Sequence, residues 1–401
     1  MKSRRVPADL VVIVAGVVAA LHVGKLPPAL PVLREAMHLS LLEAGFLLSL
    51  VQLAGMTVGV LVGLGADGVG PRRSILAGLA ILTVASGLGG FAREAWQLMP
   101  LRALEGLGFL LAVLPVPSML RSLVPPARLS LRLGLWGAFM PTGTALALLC
   151  GPLVMLVVGW QGLWWLLAVL TFAMLAWTAR SVPADHDAPH LASSGERGAW
   201  STRLRTTLAS PGPWLVALAF ATYSSQWLSI IGFLPTIYAQ AGLSVAAAGA
   251  LTALVAGVNA IGNIGAGRLL HAGVSPARVL AVGFATMAVS AVVAFAWPQA
   301  PLVQRYVAVL MLSGVGGLVP GTLFPLAVRL APNVRTVSTT VGWLQQFSAF
   351  GQFAGPPIVA YVAGLAGGWQ WTWVVTGSAS LAGLVFVAFI ARLLQANPAT
   401  R

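Results

Sequence analysis

Long runs of apolar residues alternate with short polar segments along the whole 401-residue chain. Each run approaches or exceeds the roughly 20 residues that a helix needs to cross a hydrocarbon core about 30 Å thick. Their continuity excludes a transmembrane β-barrel, because barrel strands alternate apolar and polar positions. Twelve runs are predicted to be membrane-spanning helices: residues 9–33, 43–65, 74–92, 98–120, 131–158, 161–179, 213–239, 245–270, 276–297, 303–328, 336–364 and 371–394.

The longest polar stretch divides these runs into two sets of six. It covers residues 181–212 and contains Pro, Ser, Gly and charges of both signs, a composition typical of a linker. We therefore predict an N-terminal six-helix bundle at residues 1–180, a cytoplasmic linker at 181–212 and a C-terminal six-helix bundle at 213–401.

The two sets also repeat each other in sequence. Leu30-Pro31 recurs as Leu234-Pro235, and Gly151-Pro152 recurs as Gly355-Pro356, both at an offset of 204 residues. Because one offset holds over more than a hundred residues, we infer an internal repeat. Parallel repeats of this kind place a substrate site near the bilayer midplane, between the halves.

Composition and charge agree with a membrane protein. The chain is 58% hydrophobic and 8% charged, whereas soluble domains carry roughly 25% charged residues. The net charge of +14 comes from basic residues scattered between apolar runs, which indicates topology rather than binding of nucleic acid. With the N-terminus in the cytoplasm, only Arg34, Arg93 and Arg305 of the loop cations lie outside, so we predict a multi-pass protein of the bacterial inner membrane with both termini cytoplasmic.

The first apolar run contains a lysine at an unfavourable depth. Lys25 follows the start of the run by roughly 16 residues, past the middle of the membrane, and a lysine there costs at least ~2.5 kcal/mol. His22 lies three residues earlier on the same helix face. We expect this face to point into the cavity between the halves, where a fixed positive charge attracts an anionic substrate.

Only one acidic residue is well placed to balance Lys25. Of nine Asp and Glu residues, Glu105 alone lies well inside a predicted helix, and Arg102 is three residues before it. Two cations then face one anion, and the missing partner is predicted to be the substrate. The alternatives are a structural lysine held by the carbonyl groups that Pro27, Pro28 and Pro31 leave free, or a side chain that extends to the interface.

The repeat supplies further candidates for the opposite wall of the cavity. The offset carries His22 onto Gln226 of the seventh predicted helix, where Tyr223 and Trp227 are neighbours. For the aromatic residues, packing and contact with lipid remain alternatives, and Trp160 and Trp164 fit an interfacial belt better than a pocket. The substrate-binding candidates are Lys25, His22, Arg102, Tyr223, Gln226, Trp227, Phe139, Asn259, Trp343 and Gln346, and the proton-coupling candidates are Glu105 and His22.

Three motifs carry a resemblance to a known family. The segment "GLGADGVGPRR" (63–73), the segment "RALEG" (102–106) and the Gly-Pro of "LLCGPLVML" (148–156) resemble the major facilitator superfamily, and the likeness extends over essentially the whole chain. The resemblance implies an all-α integral membrane fold of twelve transmembrane helices in two pseudo-symmetric six-helix bundles. It also implies an inner gate formed by Gly63, Asp67, Gly70, Arg72 and Arg73.

The branch of the family is indicated by two further segments. "GKLPPALP" and "LSLLEAGFLLSL" resemble the cyanate-permease-like branch, which includes transporters of small anions. The glycine pair expected after the Gly-Pro of the antiporter motif is missing, which weakens a prediction of drug/proton antiport.

These observations predict a secondary transporter that moves a small anion or organic acid by alternating access, with proton symport through Glu105 or His22. The rivals are a proton-driven exporter of drugs or amphipaths and a non-transporting membrane receptor. The predicted partners are a small-molecule substrate, the bilayer and protons, and the protein is predicted to be a monomer. With no nucleotide loop, five scattered histidines and one cysteine, we predict no enzyme activity, cofactor or metal.

Overall fold

The computed structural model describes residues 6–60, 70–184 and 199–396, and all regular structure in these ranges is helical. Three 3₁₀ turns occur, at Leu50–Gln52, Val334–Thr336 and Trp369–Trp371. The helices are α1 (Ala8–Gly24), α2 (Leu26–Ala36), α3 (Leu41–Ser49), α4 (53–60), α5 (Pro71–Gly89), α6 (Ala95–Val113), α7 (Val116–Leu123), α8 (Pro126–Gly137), α9 (Phe139–Ser181), α10 (Ala199–Leu208), α11 (Pro211–Gln240), α12 (Val245–His271), α13 (Pro276–Phe295), α14 (Leu302–Gly316), α15 (Leu318–Arg329), α16 (Val337–Leu365) and α17 (Thr372–Ala396).

Nine helical segments of the described chain are long and apolar enough to cross a membrane. The 47-residue segment Leu135–Ser181 contains two of the predicted spans, which separate at Gly159. Gly159 has a φ of 69°, a left-handed conformation that glycine adopts without the penalty of a side chain. Helices α5 and α16, of 19 and 29 residues, occupy the two remaining predicted positions. The predicted all-α fold of twelve spans is confirmed.

Each half of the chain packs mainly on itself. In the first half, α1 lies against α9 and α5 lies against α6; in the second, α11 lies against α16 and α13 against α17. The halves meet where α3 contacts α16, where α2 contacts α11 and where α9 contacts α12. These contacts bring the first two predicted spans next to the second half of the chain.

The predicted linker contains a helix, α10, that its composition does not predict. Residues 185–198 lie outside the described ranges, but α10 follows them and packs against α16 and the turn Val334–Thr336. The linker prediction rested on composition, which does not detect a ten-residue helix that gains its stability from such tertiary contacts.

The join between α1 and α2 keeps a helical path through Lys25. Lys25 has φ −67° and ψ −28°, and its backbone N–H donates to the carbonyl of Leu21 at 2.8 Å. Pro27 and Pro28 occupy the first turn of α2, where their missing N–H groups matter least. Lys25 is therefore held on a nearly continuous helix at a fixed depth.

Close helix packing in the second half gives a test of the fold. A methyl group on Gly262 of α12 would meet the backbone carbonyl of Gly314 and the Cα of Gly317, whereas one on Gly257 would meet no atom within 4 Å. We expect Gly262→Ala to destabilise the protein by ~1–3 kcal/mol through overpacking. Gly257→Ala, in the same helix, should be neutral or stabilise by up to ~1 kcal/mol. Thermal unfolding midpoints in detergent compare the two, and equal midpoints would contradict the packing described.

Candidate functional site

Four ionisable side chains form a cluster inside the first half of the chain. His22 and Lys25 come from the join of α1 and α2, Arg102 and Glu105 come from α6, and each is at most 1% exposed. Lys25 Nζ donates to Glu105 Oε1 at 2.5 Å, and Arg102 Nη1 donates to Glu105 Oε2 at 2.5 Å. Glu105 therefore binds one cation with each carboxylate oxygen.

Helix α6 positions both members of its pair. Arg102 and Glu105 are three residues apart, which places them on one helix face. The same face lies against α1 and α3, because Arg102 Nη1 also donates to the carbonyl of His22 at 2.8 Å and Nε donates to that of Leu47 at 3.4 Å. The guanidinium thus connects three helices.

Besides Glu105, the ammonium group of Lys25 contacts two neutral side chains, Ser86 and Trp164. Lys25 Nζ donates to Ser86 Oγ at 3.0 Å, and Ser86 in turn donates to the carbonyl of Trp164 at 2.9 Å. The ammonium also lies 4.3 Å from the ring centroid of Trp164, a cation–π contact. Ser86 and Trp164 were missed as site residues. The assignment of Trp160 and Trp164 to an interfacial belt is wrong, because both are buried.

The hydrogen bonds of His22 fix which ring nitrogen carries its proton. Thr171 donates its hydroxyl to the carbonyl of Leu167 at 2.7 Å, so His22 Nε2, 2.8 Å from the Thr171 oxygen, acts as the donor. Nδ1 is then the acceptor, and it lies 3.5 Å from Lys25 Nζ and 3.6 Å from Glu105 Oε1. Nδ1 of His22 therefore faces both Lys25 and Glu105.

The cluster carries an unbalanced charge. With His22 neutral, Lys25 and Arg102 contribute two positive charges and Glu105 one negative charge. Arg102 Nη2 is buried and has no hydrogen-bond partner among the residues that the structure describes. An unsatisfied buried donor on a charged group is costly. Among the described residues the two N–H groups of Nη2 are therefore unused, which indicates a missing acceptor.

Two expectations about Lys25 need correction. The sequence predicts Glu105 as the one acidic residue able to balance Lys25, with Arg102 beside it, and predicts that the substrate completes the charge balance; in the structure Glu105 already binds both cations. The face of Lys25 was expected to point into the cavity between the halves, but its side-chain contacts come from α1, α5, α6 and α9 of its own half. The alternative in which backbone carbonyl groups near Pro27, Pro28 and Pro31 hold the ammonium is not observed either, because the described contacts of the ammonium are with side chains.

The candidates Tyr223, Gln226 and Asn259 lie in the second half. Asn259 Nδ2 donates to the Tyr223 hydroxyl at 2.9 Å and to the carbonyl of Ser313 at 2.8 Å, while Gln226 Oε1 accepts from Ser380 Oγ at 2.8 Å. All three side chains therefore bond to partners within their own half. Trp227 is buried beside them in the chain.

The remaining substrate-binding candidates lie on other elements. Phe139 stacks on Trp136, with ring centroids 4.1 Å apart, and Trp343 packs edge-on against Trp214 at 5.0 Å. Gln346 of α16 accepts from the backbone N–H of Val60 at 3.0 Å, so it links the two halves directly. The structure brings none of these three into contact with the charged cluster through a described hydrogen bond or ring contact.

The predicted gate is described only in part. Gly63 and Asp67 lie outside the described residues. Gly70 precedes α5 with a φ of 93°, and Arg72 donates to the carbonyl groups of Ala179 and Val182 at the end of α9 at 2.7 and 2.9 Å. Arg72 thereby ties the start of α5 to the end of the last helix of the first half. The gating role of these residues and of Arg73 stays a prediction.

A metal centre gains no support from the described part of the chain, where no group of three His, Cys, Asp or Glu side chains is close enough to hold an ion.

Two packed helical bundles with an ionised cluster buried in one of them define a multi-pass membrane protein of the two-bundle type. The chain belongs to the Major Facilitator Superfamily, whose family model matches residues 12–341. Over its full length the fold is similar to a solved structure described as a bacterial homolog of the human lysosomal transporter Spinster in an inward-facing and unoccupied conformation. The TM-score is 0.75 at 16% identity, with 98% of this chain and 95% of that one covered.

Three curated relatives are similar to parts of the chain. The gallate transporter of Pseudomonas putida is 27% identical over 58% of each protein, and the cyanate transport protein CynX of Escherichia coli (strain K12) is 28% identical over 57% of each. The tetracenomycin C resistance and export protein of Streptomyces glaucescens is 28% identical over 41% of this chain and 31% of its own length. The chain thus spans between 31% and 58% of the length of these relatives.

Proposed function

We propose that this protein is a secondary transporter of a small anion or organic acid in the bacterial inner membrane, with both termini in the cytoplasm. The observation that carries the proposal is the charge imbalance of the buried cluster, in which Arg102 keeps an unused donor. Two of the three relatives described above are named for the transport of anions, gallate and cyanate, which agrees with a net positive site.

Arg102 is the member of the cluster best placed to meet a substrate. Its Nε donates to the carbonyl of Leu47, and the next residue, Leu48, lies against Gly232 of α11 in the other half. The guanidinium therefore lies close to the boundary along which the halves would separate during alternating access. A planar guanidinium binds a carboxylate through two parallel hydrogen bonds, and Nη2 is free for one of them.

Proton coupling follows from the double role of Glu105. Protonation of Glu105 removes the negative charge that balances Lys25 and Arg102, so an anion then binds where the carboxylate no longer competes. Bound anion and bound proton favour each other by linkage, which is the condition for symport. His22 Nδ1, 3.6 Å from Glu105 Oε1, provides a route by which the proton leaves.

Uptake into proteoliposomes tests the transport proposal. We expect inward movement of gallate, benzoate or cyanate that rises when the outside is made acidic and falls when a protonophore collapses the gradient. Benzamide, which matches benzoate in shape without its charge, should not be accumulated, and liposomes without protein set the background. Accumulation of benzamide at the same rate would contradict recognition of an anion, and uptake indifferent to the gradient would contradict proton symport.

Export of drugs or amphipaths is the second candidate function. It is favoured by the similarity to the tetracenomycin C export protein. That match covers 31% of the relative, whereas the matches to the gallate and cyanate transporters cover 58% and 57% of theirs. The same proteoliposomes distinguish it, since an exporter would move a cationic or neutral amphipath such as ethidium against a pH gradient. Such transport without movement of any tested anion would replace the proposal made here.

A further inference from the structure

A small pocket lies in the second half, at the C-terminal end of α11. Its volume is about 200 Å³, and every lining residue belongs to α11, α13, α14, the adjoining loops or the turn at Trp369. The pocket is thus separate from the Lys25 cluster, whose residues all lie in the first half. Its aromatic walls are formed by Tyr238, Phe295 and Trp369.

Arg305 gives this pocket a fixed positive charge. Its Nε donates to the carbonyl of Ala294 at 2.8 Å and Nη1 donates to that of Pro298 at 3.4 Å, so the guanidinium is anchored at the pocket by backbone groups. The sequence contains no Asp or Glu after Glu196. No acidic side chain of the second half is therefore available to neutralise Arg305.

Tyr238, which lines the same pocket, carries a hydroxyl group without a hydrogen-bond partner in the described part of the chain. Tyr238 is only 3% exposed. Its hydroxyl group is buried and has no hydrogen-bond partner within the described ranges. A buried hydroxyl without a partner is unfavourable, so such groups are usually satisfied by protein, water or ligand. Tyr238 and Arg305 line the same small space, which combines one neutral donor with one cation.

We propose that this pocket binds a small organic carboxylate with a flat apolar body, at a site distinct from the Lys25 cluster. The carboxylate accepts from the Arg305 guanidinium and the Tyr238 hydroxyl, while the body lies between Phe295 and Trp369. Benzoate has this combination of charge, size and shape. The volume of about 200 Å³ suits a ligand smaller than the drug-sized molecules whose pockets start at ~300 Å³.

Photoaffinity labelling of the full-length protein with 4-azidobenzoate tests the proposal. After irradiation in detergent, peptide mass spectrometry is expected to find label on peptides that line the pocket, around residues 234–241, 294–309 and 369–370. Arg305→Gln should reduce this labelling about tenfold or more, because it removes a charged hydrogen-bond donor. Tyr238→Phe removes only the hydroxyl and should reduce the labelling severalfold.

Arg278→Gln is the matched control, because it removes the same charge from an exposed position at the start of α13. It should leave the labelling unchanged, and an excess of benzoate should abolish labelling in the wild type. Labelling of the pocket that survives both Arg305→Gln and Tyr238→Phe would overturn the proposal, as would label found only in the first half. Label in the first half that is independent of Arg305 reports on the transport site and tests the proposed function separately.

Discussion

Replacing Glu105 with glutamine is expected to destabilise the protein by roughly 3–5 kcal/mol, more than any other single change in the buried cluster. Glu105 is the shared partner of Lys25 and Arg102, and each of its oxygens accepts one short hydrogen bond. Glutamine keeps the shape but leaves two buried cations with no negative charge beside them. The repulsion between them adds to the lost attraction.

Thermal unfolding in detergent measures this effect, with Glu35→Gln as the control because Glu35 is exposed. If the cluster is an anion site, benzoate should raise the unfolding midpoint of Glu105→Gln more than that of the wild type, since the ligand supplies the missing charge. Benzoate bound at the Arg305 pocket should raise the unfolding midpoint of both proteins equally, so this contribution cancels in the comparison. Equal midpoints for Glu105→Gln and Glu35→Gln would contradict the role given to Glu105.

The fold could be predicted from the sequence because a membrane imposes a length on every crossing segment. Backbone N–H and C=O groups in hydrocarbon must form hydrogen bonds within the protein. A continuous apolar run of spanning length meets this requirement by forming a helix. The break between the fifth and sixth runs was predicted at residues 159–160 and lies at Gly159. The helix α10 was missed because its ten residues include polar and basic side chains that resemble a linker.

The contacts of the site could not be predicted to the same extent. The depth of Lys25 and the pairing of Arg102 with Glu105 follow from helix spacing. These three residues and His22, the four ionisable candidates, do meet. Which way the lysine points depends on the rotation of α1 against helices more than 60 residues away, as its bonds to Ser86 and Glu105 show. Helix α1 is apolar on most of its surface, so its sequence alone does not determine that rotation.

The repeat contained a signal for the missed residues. At the offset of 204 residues, His22 corresponds to Gln226 and Ser86 to the buried Ser290. Near the last helix of each half the offset becomes 209, which carries Thr171 onto Ser380. His22 contacts Thr171 at 2.8 Å, and Gln226 contacts Ser380 at 2.8 Å. A polar pair therefore occurs at equivalent positions in both halves. In the first half the pair adjoins the charged residues Lys25 and Glu105.

Lys25→Met is expected to fold with a smaller loss of stability than Glu105→Gln but to lose most of its affinity for an anion at the cluster. Methionine approximates the length of lysine without its charge, and the variant leaves Arg102 and Glu105 as a balanced pair. The net positive charge of the cluster is then gone. Loss of a desolvated charge partner weakens binding by about 2–5 kcal/mol, which is a factor of roughly thirty to several thousand in affinity.

Calorimetric titration with benzoate measures this affinity, in an Arg305→Gln background so that only the cluster is titrated. Lys25→Arg keeps the charge and should retain part of the affinity, although its larger head must fit a site with no exposed surface. The unfolding midpoints of both variants are measured beside the titrations, so that a folding defect is distinguished from a binding defect. A Lys25→Met protein that binds benzoate as tightly as the parent would show that Lys25 serves only to neutralise Glu105, and the anion site would then have to rest on Arg102 alone.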